Sequence, residues 1–413
     1  MSVGLWWRLW LMMFLEFAIW GAWAPVLGAY VQKELHFNGA QTGWLFSILP
    51  LASIFSPMVF GQIADRYLPT QRLLAMLSFV GAILLWYMAS VQSYSALLGV
   101  MLAFSIVYAP TLVLTNSLSF EHLKNAEKTF GYVRVGGTIG WMIAGYTLTI
   151  WLHLSGHTSQ ADSFRIAAIF SLILAVFSLA LPNTPPKREG ADPLAFRRAF
   201  RLLADRNFAV FMIISFIVAT ELQFYYVLTS PFLEHLGVKP ANTSTVMTLA
   251  QAGELFVMAI LLPWLLPRWG VRKMMVVGII AWPLRYAIFS LAAYMGSHGG
   301  PNLLPLVEAA LPLHGFCYVF FFVVGFIYVD TVAPIDIRAS AQSLIGIVVL
   351  GIGTWIGSIV AGQIQQAFTV GTVTNWTDVF LVPCVLTVLC AIVFPLIFQD
   401  PTPGRAEGFA LVS

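Results

Sequence analysis

The sequence predicts an all-α integral membrane protein with twelve transmembrane helices arranged as two six-helix halves. The chain has 413 residues, of which 59% are hydrophobic and only 9% are charged. A soluble domain has about 25% charged residues, so this composition indicates a membrane protein. Apolar stretches recur along the chain, each near the roughly 20 residues that a helix needs to cross a bilayer. The longest polar stretch, about 182–207, falls at the middle of the chain.

Each apolar stretch is expected to form a helix, because a segment in lipid must satisfy its own backbone hydrogen bonds. The first stretch is too long for the core of a cleavable signal peptide, so we predict that it is the first span. The twelve predicted helices cover residues 9–31, 42–63, 73–91, 96–118, 132–153, 164–181, 208–233, 245–266, 274–295, 303–328, 340–368 and 379–398.

The central polar stretch separates six predicted helices from the six that follow. The predicted organisation is an N-terminal half over 1–181, a cytoplasmic linker over 182–207, a C-terminal half over 208–398 and a cytoplasmic tail over 399–413. Basic residues support this topology, since of the 21 lysines and arginines only Lys33, Arg165 and Lys239 fall in segments predicted to lie outside. Cytoplasmic loops carry the excess of basic residues, so both termini are predicted to be cytoplasmic.

Two short loops occupy equivalent places in the predicted halves. The first reads GQIADR over residues 61–66, and the second reads RWGVRK over residues 268–273. Each resembles part of the loop signature of the major facilitator superfamily, which implies that fold and an internal duplication. We predict that Asp65, Arg66 and Arg268 act in gating as the halves rock. The alternative is that these charges only set the topology.

Ionisable side chains also lie within the predicted helices, at Arg134, Glu221, Glu254 and Arg285. A charge at mid-membrane depth costs roughly 2.5–3.5 kcal/mol on insertion scales, so it usually has a partner or a function. Arg285 can neutralise Glu221 or Glu254, in a buried pair that is either structural or functional. A chain that keeps several such groups is predicted to move a polar solute.

On the fifth predicted helix, Arg134, Thr138 and Trp141 are spaced i, i+4 and i+7 and therefore share one face. A guanidinium, a hydroxyl and an aromatic ring in a row can hold a heterocycle or a sugar hydroxyl. The alternative is that Arg134 lies near the helix end and snorkels to the membrane surface. Nearby glycines are predicted to permit close helix contact, namely Gly131, Gly136, Gly137, Gly140 and Gly145.

The second half carries amides and a carboxyl at helical spacing. Gln251 and Glu254 are i, i+3 neighbours on the eighth predicted helix. The amide can read a base or a sugar, and a carboxyl in a dry cavity can carry a proton. Gln223 and Tyr226 lie one turn apart on the seventh predicted helix. On the first, Glu16 is either a second protonatable group or a polar residue that faces a cavity.

His314 and Tyr318 are spaced i, i+4 on the tenth predicted helix. A histidine there can bind substrate, or it can simply meet water at a helix end. The sequence contains no metalloprotease, serine hydrolase or phosphate-loop signature, so no enzymatic activity, cofactor or metal is predicted. The absence of a long basic run argues against nucleic acid as a partner.

Several stretches, in order over nearly the whole chain, resemble the nucleoside:proton symporter family of the major facilitator superfamily. They are FAIWGAW at 17–23, YAPTL at 108–112, GTIG at 137–140, ELQ at 221–223, WPLR at 282–285 and, most specifically, IRASAQ at 337–342. The resemblance implies proton-driven nucleoside uptake at a midplane site. It also implies that certain residues contact or couple to nucleoside, namely Arg134, Thr138, Gln223, Gln251 and Glu254.

The chain departs from the family pattern at three positions. Tyr226 stands where the pattern has an amide, His314 where it has a tyrosine, and Val319 where it has an acidic residue. The acidic residue is of the kind expected to take part in proton coupling. Its absence leaves Glu254, with Glu16 or His314 as further candidates, or it leaves a transporter that does not couple to protons.

We therefore predict a multi-pass nucleoside permease of the bacterial inner membrane, monomeric and surrounded by lipid, that takes a nucleoside and a proton as partners. Glu254 is assigned the coupled proton. The predicted substrate contacts are Arg134, Thr138, Trp141, Gln223, Tyr226, Gln251, Glu254, His314 and Tyr318. The alternatives are a proton-independent nucleoside uniporter and a permease of the same fold for sugars or small polar metabolites. A membrane sensor would carry a soluble signalling domain, and the central polar stretch is too short for one.

Overall fold

The structure is a computed structural model that describes residues 3–123, 126–186, 195–334 and 337–399. Almost all of these residues are helical. The α-helices are α1 (Val3–Ala29), α2 (Gly39–Arg66), α3 (Thr70–Met88), α4 (Tyr94–His122), α5 (Ala126–Ser155), α6 (Asp162–Ser178), α7 (Arg206–His235), α8 (Pro240–Phe256), α9 (Leu262–Ser297), α10 (Leu304–Ala310), α11 (Leu313–Cys317), α12 (Val324–Val332), α13 (Arg338–Gly346), α14 (Thr354–Ala367) and α15 (Trp376–Ile397).

Shorter segments join or interrupt these helices. A 3₁₀-helix spans Ala195–Ala204. Two short strands, β1 (Thr369–Val370) and β2 (Val373–Thr374), form an antiparallel hairpin in which Thr369 pairs with Thr374. Segments of π-helix continue the α-helices without a break in the apolar span, and they cover Tyr30–Glu34, Val257–Leu261, Tyr318–Val323 and Ile347–Gly353.

The described helices match the predicted spans. Ten helical stretches in the described part of the chain are long and apolar enough to cross a membrane. One of them, Pro240–Ser297, is 58 residues long and turns sharply at Gly270, so it contains two of the predicted helices. The 17-residue α6 is slightly shorter than the shortest of these stretches, which has 19 residues. With that stretch divided and α6 included, the prediction of twelve spans agrees with the structure.

Local side-chain and backbone features explain the start of α2 and the break within α9. Asn38 precedes α2 and accepts a hydrogen bond from the backbone N–H of Gln41, whose side chain accepts one from the N–H of Asn38. This reciprocal pair satisfies two N–H groups that the first helical turn leaves without partners. Gly270 has φ +71° and ψ 173°, a conformation that is open essentially only to glycine, and it breaks the helical path.

The described chain forms two compact units. The first unit falls within Met1–Gly190 and Tyr226–Thr248, and the second within Ala191–Tyr225 and Leu249–Ser413. In the first unit, α1 lies at the centre and packs against α5 and α6, while α2 and α3 pack against α4. Its core is a continuous set of buried apolar side chains from these helices. In the second unit, α9 packs against α15, α11 and the π-helical segment Tyr318–Val323.

Parts of the predicted linker and tail lie outside the described residues, namely 187–194 and 400–413. The predicted division into halves over 1–181 and 208–398 stays a prediction. The segment Tyr226–Thr248 covers the last part of α7 and the first part of α8. It belongs to the first compact unit, together with the helices that precede the linker.

Candidate functional site

The first unit brings Arg134 and Trp141 of α5 against α1. The guanidinium of Arg134 lies 3.7 Å from the centre of the Phe17 ring, an arrangement that favours cation–π attraction. Trp141 packs edge-to-face on Trp20, with ring centres 5.3 Å apart. Thr138 is half-buried and lies between Arg134 and Trp141 along α5. The predicted row of guanidinium, hydroxyl and aromatic ring therefore exists, and its role in binding stays a prediction.

Glycines allow α5 to approach α1 this closely. A methyl group at Gly136 or Gly140 would overlap the backbone of α1, at Trp10 and Phe14 respectively. Gly137 and Gly145 are also tightly surrounded. The prediction of close contact is confirmed for these positions but is wrong for Gly131, which is exposed and has nothing within 4 Å of the point that a Cβ atom would occupy.

In the second unit, Glu254 lies close to a fully buried histidine. The Oε2 atom of Glu254 is 3.9 Å from Nε2 of His314, and the Glu254 side chain is 16% exposed. Gln251 lies one turn before Glu254 on α8 and is buried. The backbones of α8 and α11 touch here because Gly253 and Gly315 face each other, so any larger side chain would separate Glu254 from His314.

His314 is held in one orientation by Arg285 and by two tyrosines. The Nη1 atom of Arg285 lies 3.3 Å from Nδ1 of His314. A guanidinium can only donate, so Nδ1 accepts and a neutral imidazole ring carries its hydrogen on Nε2, the atom nearest Glu254. The ring stacks on Tyr225 and on Tyr318, at centre distances of 4.7 Å and 5.8 Å.

Arg285 itself is fully buried and surrounded by aromatic rings. Its guanidinium lies 4.5 Å from the ring centre of Tyr225 and 4.8 Å from that of Trp282. The guanidinium donates a hydrogen bond to His314. The histidine therefore stands between the arginine and the carboxyl of Glu254. The prediction that Arg285 neutralises Glu221 or Glu254 stays a prediction.

The two predicted substrate contacts on α7, Gln223 and Tyr226, belong to different units. Gln223 is buried in the second unit, and its Oε1 accepts a hydrogen bond of 3.0 Å from the hydroxyl of Ser358 on α14. Tyr226 is half-buried and belongs to the first unit.

The predicted gating residues lie at helix ends. Asp65 is half-buried near the end of α2, and Arg66 is exposed at its last residue. Arg268 is exposed two residues before the break at Gly270, and it donates a hydrogen bond of 3.0 Å to the carbonyl of Trp264. The prediction that residues 61–66 form a loop is wrong, because α2 continues to Arg66 and Asp65 and Arg66 lie in its last turn. The second predicted loop, 268–273, contains the break at Gly270 within α9. The gating role stays a prediction.

Sequence reasoning missed Tyr225 and Ser358. Tyr225 lies one turn after Glu221 on α7. Its position in the sequence does not indicate that its ring stacks on His314 of another helix. Ser358 is one of many small polar residues in the apolar helices. The described residues contain no cluster of histidine, cysteine or acidic side chains suited to a metal ion.

The chain is similar to several known transporters. Nucleoside permease NupG of Escherichia coli (strain K12) is 32% identical over 405 residues, which cover 94% of each chain. Xanthosine permease from the same organism is 31% identical over 406 residues, again 94% of each chain. Maltose permease of Geobacillus stearothermophilus is only 24% identical, so the sugar alternative is not favoured.

Solved structures show the same architecture. A crystal structure of the nucleoside transporter NupG superposes with a TM-score of 0.84 at 30% identity, covering 97% of this chain and all of that one. The chain therefore has the major facilitator superfamily fold and is a multi-pass membrane transporter. The nucleoside H⁺ symporter family model matches residues 2–403, and the chain accordingly belongs to the nucleoside H⁺ symporter family.

Proposed function

We propose that the protein carries a nucleoside across the bacterial inner membrane together with a proton, by alternating access. The observation that carries this proposal is the arrangement of Gln251, Glu254, His314 and Arg285 in a transporter of the nucleoside H⁺ symporter family. A buried amide can form hydrogen bonds with a polar solute, and a partly exposed carboxyl beside it can take up a proton.

We propose that amides, aromatic rings and a guanidinium contact the nucleoside during the cycle. The amides of Gln223 and Gln251 can donate to and accept from the edge of a base or the ribose hydroxyls. Aromatic rings supply stacking surfaces, and Arg134 supplies donors in a fixed plane. The proposed contacts are Arg134, Thr138, Trp141 and Tyr226 of the first unit, and Gln223, Gln251, Glu254, His314 and Tyr318 of the second.

Glu254 carries the coupled proton in this proposal. Its carboxyl is the partly exposed member of the buried polar group, so it can exchange a proton with water. His314 presents an N–H on the side of Glu254, and the dipole of this group, 3.9 Å from the carboxyl oxygen, favours the carboxylate when the proton has left. Substrate affinity then differs between the two protonation states, and that difference is the coupling between the two solutes.

Charges at the helix ends take part in gating. Asp65, Arg66 and Arg268 pair or separate as the protein changes conformation. We further propose that the protein is a monomer embedded in lipid, with both termini in the cytoplasm, because one chain of this fold contains a complete transport pathway.

The experiment that tests the proposal is uptake of radiolabelled uridine and adenosine into proteoliposomes, with and without an inward proton gradient. Accumulation above equilibrium only with the gradient supports symport. Equilibration without accumulation would show a uniporter, and the lack of any nucleoside flux would contradict the proposed substrate class.

The Glu254→Gln variant tests the proton assignment. It keeps the shape and loses the titratable group, so we expect it to lose accumulation while it still exchanges internal for external nucleoside. The matched control is Glu308→Gln, at a half-buried carboxyl on α10, which should leave both measurements unchanged. If Glu254→Gln still concentrates nucleoside with undiminished pH dependence, the assignment to Glu254 is wrong.

A further inference from the structure

A second carboxyl, that of Glu16, lies buried in the first unit. Its side chain, on α1, is completely inaccessible to solvent. Its Oε1 lies 2.6 Å from the hydroxyl oxygen of Thr111 on α4, within hydrogen-bonding distance. Its Oε2 has no hydrogen-bond partner in the part of the chain that the structure describes. The hydroxyl of Tyr108 donates instead to the backbone carbonyl of Glu16, at 2.8 Å.

The geometry around Thr111 indicates that this carboxyl holds a proton. The Thr111 hydroxyl oxygen lies 2.6 Å from Oε1 of Glu16 and also 2.6 Å from the carbonyl oxygen of Tyr108. Threonine has a single hydroxyl hydrogen and can donate only one of these bonds. Both short distances are accounted for if Thr111 donates to Tyr108 and a protonated Glu16 donates to Thr111. A carboxylate without an ion-pair partner would also be costly in such a site.

The ionisable groups around Glu16 come from helices α4, α5 and α6, which pack against α1. Helix α7 also contacts α1, at Gly28 and Ala29, about three turns beyond Glu16. Helix α4 contributes Tyr108, whose hydroxyl is engaged with the Glu16 backbone. Helix α5 contributes Arg134, whose guanidinium stacks on Phe17, the residue next to Glu16. Helix α6 carries charged residues only near its beginning, where Arg165 and Asp162 pair with each other. Arg134 is therefore the cation best placed to respond when Glu16 changes its protonation state.

We propose that Glu16 is a proton-carrying group of the transport cycle. It takes a proton from the aqueous phase and becomes the carboxylic acid inferred from the Thr111 geometry. It then releases that proton to water on the other side and becomes a carboxylate. Pro110 precedes Thr111 and leaves the carbonyl of Ile106 without its helical donor, so α4 can bend where it contacts Glu16. This inference rests on the proposed symport function and adds a site to it.

The test compares two measurements on the Glu16→Gln variant of the full chain in proteoliposomes. One is accumulation of uridine driven by an inward proton gradient, and the other is exchange of internal for external uridine, which needs no net proton movement. We expect loss of accumulation with exchange retained. Unchanged accumulation, or loss of both, would overturn the proposal. Glu308→Gln again serves as the matched control.

A second variant keeps the proposal testable if Glu16→Gln does not fold. Thr111→Val retains the carboxyl and removes the hydroxyl that contacts it, so the pH at which uptake is half-maximal should shift while nucleoside exchange at the optimum persists. An unchanged pH profile would overturn the role of Glu16. Exchange of uridine by the unaltered protein tests the proposed function separately, since exchange without gradient-driven accumulation would remove the symport on which this inference depends.

Discussion

At the scale of single residues, the second unit buries a cation and a histidine that depend on each other. Arg285 and His314 are both completely buried. The histidine accepts the hydrogen bond of the arginine, and the two tyrosine rings that cover His314 limit its rotation. A donor left without an acceptor in such a site costs about 1–3 kcal/mol.

The His314→Phe variant tests this dependence. The phenyl ring keeps the stacking with Tyr225 and Tyr318 but cannot accept the hydrogen bond of Arg285. We expect the free energy of unfolding to fall by about 1–3 kcal/mol, because a buried guanidinium donor loses its acceptor. Denaturation in detergent, followed by tryptophan fluorescence, measures the change.

The control is His298→Phe, since His298 also stacks on a tyrosine, Tyr294, with ring centres 4.1 Å apart. His298 is exposed, so its loss should change stability by less than about 0.5 kcal/mol. Equal effects of the two substitutions would contradict the structural role given to His314.

At the scale of helices, the contact between α1 and α5 is set by small residues. The Gly140→Ala variant should lower the free energy of unfolding by about 1–3 kcal/mol, because the added methyl group would overlap the Phe14 carbonyl oxygen. Gly131→Ala lies on the same helix in open surroundings and should be neutral or stabilising by about 0.5–1 kcal/mol. Denaturation of both variants in detergent gives the comparison, and a destabilised Gly131→Ala would contradict it.

The break in the long helical stretch at Gly270 depends on backbone conformation alone. Nothing lies within 4 Å of a methyl group placed on Gly270, but its φ of +71° is unfavourable for any residue with a side chain. We expect Gly270→Ala to destabilise the protein by about 1–3 kcal/mol. The control is Gly61→Ala, where the surroundings are equally open and the backbone is helical. Thermal unfolding in detergent should separate the two variants, and identical midpoints would contradict this explanation.

The sequence did not predict the π-helical segments. Val257–Leu261 follows Glu254 closely, and Tyr318–Val323 begins at a predicted substrate contact. Such segments arise where one extra residue is accommodated within a helix, and they are frequent at functional sites. Hydropathy identifies the span but contains no signal for the extra residue, because the composition on both sides is equally apolar.

At the scale of the whole molecule, a polar network holds together one end of the first unit. Glu34 accepts hydrogen bonds from the hydroxyl of Ser159 and the backbone N–H of Gln160, at 2.6 Å and 2.7 Å. The side chain of Gln160 donates in turn to Glu234 of α7, at 2.7 Å. This network joins α7 to segments that precede the central linker, so a change of conformation that separates them must break it.

A disulfide beside this network tests whether that contact opens during transport. The hydroxyl oxygens of Thr149 on α5 and Thr245 on α8 are 2.8 Å apart. The double variant Thr149→Cys with Thr245→Cys should lose uridine uptake under oxidising conditions and regain it with a reductant, because alternating access requires these helices to separate. The single-cysteine variants control for the substitutions and for the native cysteines. A cross-linked protein that transports at the normal rate would contradict the mechanism.

Much of the architecture follows from the sequence alone. The helices could be placed from apolar length, since lipid leaves the backbone no other way to satisfy its hydrogen bonds. Family motifs at 137–140 and 337–342 predicted the transporter class that the comparisons confirm. Helical spacing also placed Gln251 beside Glu254, because neighbours on one helix depend only on its period.

Partners on different helices were decided by the tertiary structure. Glu16 meets Thr111 across 95 positions of the chain, and Arg285 meets His314 across 29. The period of a helix shows which side chains share a face, but it does not show which helix that face will meet. Close backbone contacts, such as that of Gly253 with Gly315, determine which side chains become neighbours. Those neighbours in turn determine the protonation state and the tautomer of each buried group. The sequence by itself therefore determined the membrane fold and the transporter family, and packing between helices determined the chemistry of the buried polar groups.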